Sequence, residues 1–391
     1  MQSFDLESLS LQPFLQSLHK EQWQEVRLEE VAEMNNGKAR PKNYGDYPIY
    51  GGNGILGYGN QYNCDSETII VGRVGAYCGC VYYEKQPIWV SDNAIIVKAK
   101  SENNIKFLYY VLKSMKLNDY ALGSSHPLLT QNLLNTLQVE IPKDITTQQK
   151  IAEILSSFDD KIDLLHRQNK TLESLALTLF RHYFIDNPKR DEWEEKPLSE
   201  IAEIQNGYAF KNSDYTERGM ETYEVLKIGH IESGGGLRYS PKAHYVKIND
   251  KMTKWVLNED DIVLAMTYGE NSLGILGCSA MVDKSNYYVL NQRVARIYLK
   301  SKDDFLHNYF LFLYLSLQEN IQKLQSLANG GVQVNLSTEA IKNFTITIPP
   351  LEFQSQNNQA FINIIKKYKN NRKQIQNLQA MRDMLLKAIF A

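Results

Sequence analysis

The sequence predicts a mixed α/β (α+β) fold with two strand-rich domains, a long antiparallel two-helix coiled coil that separates them, and an internal pseudo-two-fold repeat. The first observation is that residues 23–37 return as residues 193–207, with eight of fifteen positions identical. The second is that each copy precedes the same order of predicted strands and helices. The third is a pair of long heptad patterns that end at Phe184 and Phe390, 206 positions apart. Repeated segments that occur in the same order, with different sequences between them, indicate a duplicated scaffold.

The two strand-rich parts contain matching elements. Short β-branched runs bounded by Gly, Asp and Asn predict strands, apolar residues at helical spacing predict one helix, and a hydroxyl residue can cap a turn before the last strand. In the first copy these are strands at 68–71 and 94–97, a helix at 105–115, the cap Thr130 and a strand at 137–141. In the second copy they are strands at 261–264 and 293–298, a helix at 305–317, the cap Ser337 and a strand at 344–348.

Two heptad patterns predict the helix pair. Positions that alternate by four and three are apolar over about five heptads after Thr147, which predicts a helix over 148–184. The same positions shifted by 206 predict a second helix over 356–390. Asn169 is the polar exception in the first seam, a residue type that fixes coiled-coil register at some cost in stability. The seam residues are Ile151, Leu155, Phe158, Ile162, Leu165, Asn169, Leu172, Leu179, Phe361, Ile364, Ile375, Leu378 and Leu385.

Because each helix follows an equivalent module, antiparallel packing of one on the other is the simplest arrangement. The alternative is two amphipathic helices that lie on separate cores. Five uninterrupted heptads favour the helix pair, since a globular core rarely needs so long a seam.

Composition restricts the class of protein. The chain has 391 residues, a net charge of −2 and four cysteines without metal-ligand spacing. We expect reduced cysteines in a cytoplasmic protein, with no signal peptide and no membrane span. A protein that holds DNA alone usually carries a large basic excess, because phosphate neutralisation supplies much of its affinity. Any contact with nucleic acid must therefore be local or shared with partners.

No motif predicts catalysis, a metal site or a cofactor. Gly52-Asn-Gly54-Ile-Leu-Gly57 matches GxGxxG, but no helix or βαβ unit follows it, so a pyrophosphate would lack its helix N-terminus. A tight glycine turn is the better interpretation. The sequence contains no phosphate-binding loop, no HExxH and no GxSxG. Its seven histidines are scattered without ligand spacing.

Basic and aromatic residues alternate in loops of both copies. This interleaving suits phosphate contacts combined with packing in a DNA groove, whereas the simpler alternative is solvated loops whose tyrosines pack on their rims. We predict that the DNA-facing side chains are Lys38, Arg40, Lys42 and Arg73 in the first copy and Lys211, Lys242 and Lys247 in the second.

The repeated frame resembles a known family. Its markers are the Trp-to-Gly repeat, the segments 47–55, 70–75 and 290–296, and Ile348-Pro-Pro-Leu351 before a long helix. In this order, and occurring twice, they are similar to type I restriction-modification specificity subunits over residues 20–391. The resemblance implies two target recognition domains that each read half of a split double-stranded DNA site. It also implies helices that bind two methyltransferase subunits, with restriction subunits joining through that complex, and no membrane partner.

The resemblance implies a first recognition domain at 1–145, a spacer helix at 146–190, a second recognition domain at 191–350 and a C-terminal helix at 351–391. The chain would be non-catalytic, because methylation and cleavage belong to its partners. Two alternatives stay open: a DNA-free scaffold built from a duplicated module, and a self-contained methylase or nuclease. The second helix begins Gln354-Ser-Gln-Asn-Asn-Gln, which is more polar than the start of the first helix at 148–153. This difference argues against fully symmetric binding of partners by the two helices.

Overall fold

The computed structural model describes residues 12–18, 20–100, 102–123, 127–238, 241, 243–268, 273–300, 308–328 and 334–390. The chain divides into two compact units. Unit 1 comprises residues 1–166 and 373–391, and unit 2 comprises residues 167–372. The division falls within the two long helices, so each unit contains a part of both.

Unit 1 contains a four-stranded antiparallel sheet in the order β2-β8-β5-β6, a three-stranded sheet β4-β3-β7 and a two-stranded sheet β1-β9. Its strands are β1 (Trp23–Arg27), β2 (Ala32–Asn36), β3 (Tyr47–Gly51), β4 (Gly54–Gly59), β5 (Thr68–Gly72), β6 (Val81–Glu84), β7 (Trp89–Val90), β8 (Ala94–Ala99) and β9 (Gln138–Pro142). Its helices are α1 (Gln12–Gln16), α2 (Leu28–Val31), α3 (Ile105–Ser114), α4 (Gln131–Thr136), the first part of α5 (Ile145–Phe180) and the end of α10 (Leu351–Phe390).

Unit 2 contains four-stranded sheets in the orders β11-β18-β15-β16 and β12-β14-β13-β17, and a two-stranded sheet β10-β19. Its strands are β10 (Glu194–Pro197), β11 (Ala202–Asn206), β12 (Tyr215–Thr216), β13 (Thr222–Leu226), β14 (Tyr245–Lys247), β15 (Ile262–Ala265), β16 (Ser279–Met281), β17 (Tyr288–Leu290), β18 (Val294–Leu299) and β19 (Thr345–Ile348). Its helices are α6 (Leu198–Ile201), α7 (Asn308–Ser316), α8 (Gln318–Ser326), α9 (Thr338–Lys342) and part of α10 (Leu351–Phe390), besides the end of α5.

The strand pairings confirm the internal repeat. In unit 1, β8 lies between β2 and β5, as β18 lies between β11 and β15 in unit 2. The parallel pair β3–β7 corresponds to the parallel pair β13–β17. All six predicted strands are present, and the predicted caps are confirmed, since Thr130 accepts from the amide of Leu133 and Ser337 from that of Ala340.

The helices pack antiparallel, as predicted. In unit 2, Asn169 bonds to Asn371 and Phe180 contacts Phe361, so the two numberings run in opposite directions. In unit 1, Asp159 pairs with Arg382, and the C-terminal end of α10 packs in the same core as the start of α5. Of the seam residues, the buried ones are Ile151, Leu155, Ile162, Leu165, Asn169, Phe361, Ile375 and Leu385, and the half-buried ones are Phe158, Leu172, Leu179, Ile364 and Leu378.

The helix boundaries differ from the sequence expectation. α5 begins at Ile145, before the predicted residue 148, because the Asp144 carboxylate accepts hydrogen bonds from the amides of Thr146 and Thr147. The hydrogen bond from the Thr146 hydroxyl, followed by those from the two amides, lowers the pKa of Asp144. The predicted helix 305–317 is described only from Asn308 and ends at Ser316, because Leu317 is extended and is the N-cap of α8. Within the described ranges, none of the helices is long and apolar enough to cross a membrane.

Candidate nucleic-acid interface

A close backbone approach shapes the start of the candidate surface in both units. The amide of Lys38 donates to Val90 after β2, and the amide of Tyr208 donates to Leu290 after β11. A methyl group added at Gly37 would lie 2.0 Å from the carbonyl oxygen of Ser91, and one at Gly207 would lie 2.2 Å from that of Asn291. Only glycine fits these positions, so the Gly shared by the two repeat frames sets where each following loop leaves the sheet.

The loop that follows β2 carries three of the predicted DNA-facing cations. Lys38, Arg40 and Lys42 are all exposed, and Tyr44 in the same loop is 94% exposed. The indole N–H of Trp89 donates to the carbonyl of Lys38, so the base of the loop is held to β7. The loop therefore presents charge and an aromatic ring to solvent from a fixed base.

Arg73 lies near the same loop although it is far away in sequence. Its guanidinium donates to the Asn36 side chain over 3.3 Å, which puts it beside the last residue of β2. Its backbone is held on both sides, since its amide donates to Asn93 and its carbonyl accepts from Leu129. Unlike the three loop cations, Arg73 is half-buried. The structure thus joins Arg73 to the end of β2, two residues before Lys38.

The predicted cations of unit 2 are spread more widely. Lys211 is exposed in the loop after β11, where its amide donates to the Asp214 carboxylate, and Lys247 is exposed at the end of β14. Lys242 lies outside the described residues. Beside Lys211, the ring of Tyr208 contacts both Phe210 and Trp255, each with 4.9 Å between ring centroids. This aromatic cluster is the unit 2 counterpart of the loop that carries Lys38.

The sequence reasoning missed the cation–ring pairs of unit 2, among them four in its loops and short strands. Each places a positive charge over an aromatic face, the arrangement that also suits stacking and phosphate contacts. The distances to the ring centroids are 4.3 Å for Lys227 over Tyr215, 4.3 Å for Lys254 over Trp255, 4.4 Å for Lys284 over Tyr287 and 5.8 Å for Arg218 over Tyr245. Only Lys254–Trp255 is adjacent in sequence, so it alone offered a local signal.

A buried acid supports this surface from below. Glu224 on β13 accepts from the hydroxyl of Tyr287 over 2.9 Å and lies 2.9 Å from His230 Nε2. The amide of Lys227 donates to His230 Nδ1, so Nε2 carries the proton that is donated to Glu224. Burial raises the pKa of Glu224, but the bonds from His230 and Tyr287 outweigh it and hold the pKa below its ordinary value. The network fixes Lys227 and Tyr287, both members of cation–ring pairs.

Metal or thiol chemistry finds no support in the part of the chain that the structure describes. Those residues contain no group of three or more His, Cys, Asp or Glu side chains that could hold a metal ion. The four cysteines are free, and burial raises the pKa of Cys64, Cys78 and Cys278. A raised pKa disfavours the thiolate, which is the reactive form. The Gly52–Gly57 segment forms the turn and strand of a β3–β4 hairpin.

Comparisons with known proteins agree on one family. The family model of the type I restriction modification DNA specificity domain matches residues 20–174 and 190–380. The chain is 25% identical over 330 residues to the type I restriction enzyme MjaIX specificity subunit of Methanocaldococcus jannaschii, covering 79% of this chain and 73% of that protein. It is 28% identical over 307 residues to the MjaVIII specificity subunit of the same organism, covering 72% and 68%.

A solved structure supports the fold. The crystal structure of the type I restriction-modification S subunit from M. genitalium superposes with a TM-score of 0.54 at 18% sequence identity. The match covers 94% of this chain and 96% of that one.

Proposed function

Since the chain belongs to the type I restriction-modification DNA specificity family, we propose that each of its two units reads one half of a split double-stranded DNA site. The observation that carries the proposal is the repeated construction of the two units. In both, a close backbone approach that requires glycine follows β2 or β11 and begins a loop that bears at least one exposed cation and an aromatic ring. Two equivalent supports with different loops are what a bipartite site with unlike halves requires.

The helices supply the rest of the proposed role. We propose that α5 and α10 bind two methyltransferase subunits, through which restriction subunits join the complex in the cytoplasm. The net charge of −2 fits this division of labour, because partners can contribute phosphate contacts that the chain lacks. Methyl transfer and cleavage would then belong to the partners, and this chain would position them without catalysing either step.

The contact residues can be tested by charge removal. Alanine at Lys38, Arg40, Lys42, Arg73, Lys211, Lys242 and Lys247 should weaken binding of the methyltransferase complex to every DNA sequence. Each lost phosphate contact should flatten the plot of log affinity against log salt by about 0.9. The matched control is alanine at Lys143, Lys189 and Lys323, exposed lysines that lie outside both loops and outside α5 and α10 and should leave that slope unchanged.

Two results would overturn the proposal. Methyl transfer by the purified chain without a methyltransferase partner would favour a self-contained enzyme. Absence of DNA binding by the assembled complex would favour the DNA-free scaffold. An unchanged salt slope in the variant with all seven replacements would leave the family role intact but reject the assigned contact residues.

A further inference from the structure

Unit 2 contains an apolar cavity of about 90 Å³ beside the helix pair. Three helices line it: Ala176 comes from α5, Ile365 from α10, and Leu313 and Ser316 from α7. The turn at Gly234–Gly236 forms a further wall, and all three glycines have φ between 90° and 103°. Because such φ values favour glycine, the turn brings bare backbone to the cavity without filling it.

The same place can be identified in unit 1 through the repeat. In unit 1, Phe390 on α10 contacts Phe107 on α3. In unit 2, Phe184, 206 positions earlier than Phe390, contacts Phe310 on α7. Phe107 therefore corresponds to Phe310, so each α3 residue corresponds to the α7 residue 203 positions later. On the long helices, corresponding residues of α5 and α10 are 206 positions apart.

A polar network fills this place in unit 1. Asp159 on α5 pairs with Arg382 on α10, accepts from the hydroxyl of Tyr110 over 2.8 Å and lies 3.9 Å from Lys113. Burial raises the pKa of Tyr110, and the negative charge of Asp159, which favours the protonated hydroxyl, raises it further. Four side chains from three helices thus occupy the space.

Each of those four positions is changed in unit 2, and three become smaller. The repeat offsets equate Arg382 with Ala176, Lys113 with Ser316, Tyr110 with Leu313 and Asp159 with Ile365. All four unit 2 residues line the cavity. The cavity is therefore the volume that the unit 1 network occupies, made apolar and left open by the shortened side chains.

The charged groups at the cavity favour a cation. Arg372 is paired with Asp283 at 3.1 Å, and Lys369 with Glu259 at 3.2 Å and with Asp260. Glu173 also lines the cavity, and among the described residues no lysine or arginine lies within ion-pair distance of its carboxylate. Burial raises the pKa of Glu173 and outweighs the hydrogen bond from Tyr368 and the attraction to Arg372 and Lys170, so these groups compensate its ionised form only in part.

We propose that this cavity binds a small apolar cation, an alkylamine whose hydrocarbon part has about four carbons and whose ammonium group faces Glu173. The size follows from scaling, since an apolar cavity of about 150 Å³ accepts the six carbons of benzene. The apolar lining takes up the chain, and the ammonium supplies the positive charge that Arg382 supplies in unit 1.

The probe that tests the proposal is isobutylamine, followed by saturation-transfer difference NMR with the full chain. Isobutanol has the same hydrocarbon chain without the charge, and methylamine has the charge without the chain. Isobutylamine should bind saturably at roughly millimolar concentration, as suits a ligand of five heavy atoms. Isobutanol and methylamine should each bind about tenfold more weakly or not at all.

Two variants and a control locate the site. Ala176→Leu should abolish isobutylamine binding without lowering the melting temperature, because the leucine fills existing space. Glu173→Gln should weaken isobutylamine about tenfold and leave isobutanol unaffected. Leu175→Ala, at a neighbouring exposed position of α5, should change neither.

The outcomes separate cleanly. Absence of saturable isobutylamine binding, or binding unchanged by Ala176→Leu, would reject the cavity as a site. Equal affinity for isobutanol and isobutylamine would reject the contact between the ammonium group and Glu173. None of these results bears on DNA recognition, which is measured separately.

Discussion

At the residue scale, the construction that the two units share depends on two glycines. Gly37 and Gly207 leave no room for a β-carbon, because the backbone of the paired segment passes over them. The repeat comparison singled out both positions, since Asn-Gly ends each frame. It could not supply the reason, because Ser91 and Asn291 approach from 54 and 84 positions later in the chain.

This close approach predicts the effect of one methyl group. Gly37→Ala should lower the free energy of unfolding of unit 1 by roughly 1–3 kcal/mol, the usual cost of overpacking. The backbone oxygen of Ser91 cannot move aside without disturbing β7. Urea denaturation of the full chain, monitored by near-ultraviolet circular dichroism, measures the change. Gly229→Ala is the control, because a methyl group there meets nothing within 4 Å. Equal destabilisation by both variants would contradict the steric explanation.

On the candidate surface, the sequence predicted residues that share a loop but missed residues that only folding brings together. Lys38, Arg40 and Lys42 could be identified as a group because they share one loop. Arg73 joins them only through its bond to Asn36, 37 positions earlier. The pairs Lys227–Tyr215 and Arg218–Tyr245 depend on strands that fold onto one another, so sequence spacing gave no sign of them.

At the element scale, the helices were the most predictable part of the chain. A heptad pattern is local and long, so both helices and their antiparallel packing could be derived from the sequence. Their ends were less predictable, because single hydrogen bonds decide them: Asp144 moves the start of α5 to Ile145, and a π-helical turn at Arg181–Ile185 follows its end. The second sheet of each unit was missed, since most of its strands have five residues or fewer and, in unit 1, β4 contains three glycines.

The polar pair in the seam yields a prediction for the helices. Asn371 donates to Asn169 over 3.0 Å, and both side chains are buried. Replacing either one alone by leucine should destabilise the chain by about 1–3 kcal/mol, because the remaining amide loses a buried partner. Replacing both should cost less than the sum of the single changes, since two leucines can pack together. Thermal unfolding of the four proteins in this double-mutant cycle measures the coupling.

Register is the second measurement on the same proteins. If the asparagine pair fixes the alignment of α5 on α10, the double variant should lose specificity of alignment while losing less stability than the two single changes together. Disulfide trapping between cysteines placed at 162 and 378 and at positions shifted by three or four residues reports the alignment. Strictly additive single changes would show that Asn169 and Asn371 do not act as a pair.

At the scale of the whole molecule, the two recognition modules, residues 28–137 and 198–344, begin and end in the same way. The two-stranded sheets β1–β9 and β10–β19 hold the entry and exit of each module side by side. In one, the amide of Leu28 donates to Leu137 over 2.9 Å, and in the other the amide of Leu198 donates to Phe344 over 2.8 Å. A module inserted between these closing residues should therefore find the same attachment in either place.

The last prediction exchanges the modules. Replacing residues 198–344 by a second copy of 28–137 should give a chain that directs methylation to a site with two identical halves, one of them unchanged from the original. The grafted Tyr110 and Lys113 would face Ile365 and Ala176 instead of their own partners, so the chimera should also carry Ile365→Asp and Ala176→Arg. These two substitutions recreate the Asp159–Arg382 pair, and a chimera without them should be less stable, because Lys113 would be buried without an acid.

Methylome sequencing of cells that express the chimera with its methyltransferase reads the outcome. The reciprocal chimera, with 198–344 inserted in place of 28–137, should double the other half of the site, with Asp159→Ile and Arg382→Ala as its matching changes. Doubling of opposite halves by the two chimeras would require that each module carries its own base-reading residues. Folded chimeras that methylate the original site, or a site new in both halves, would show instead that recognition depends on residues outside the modules.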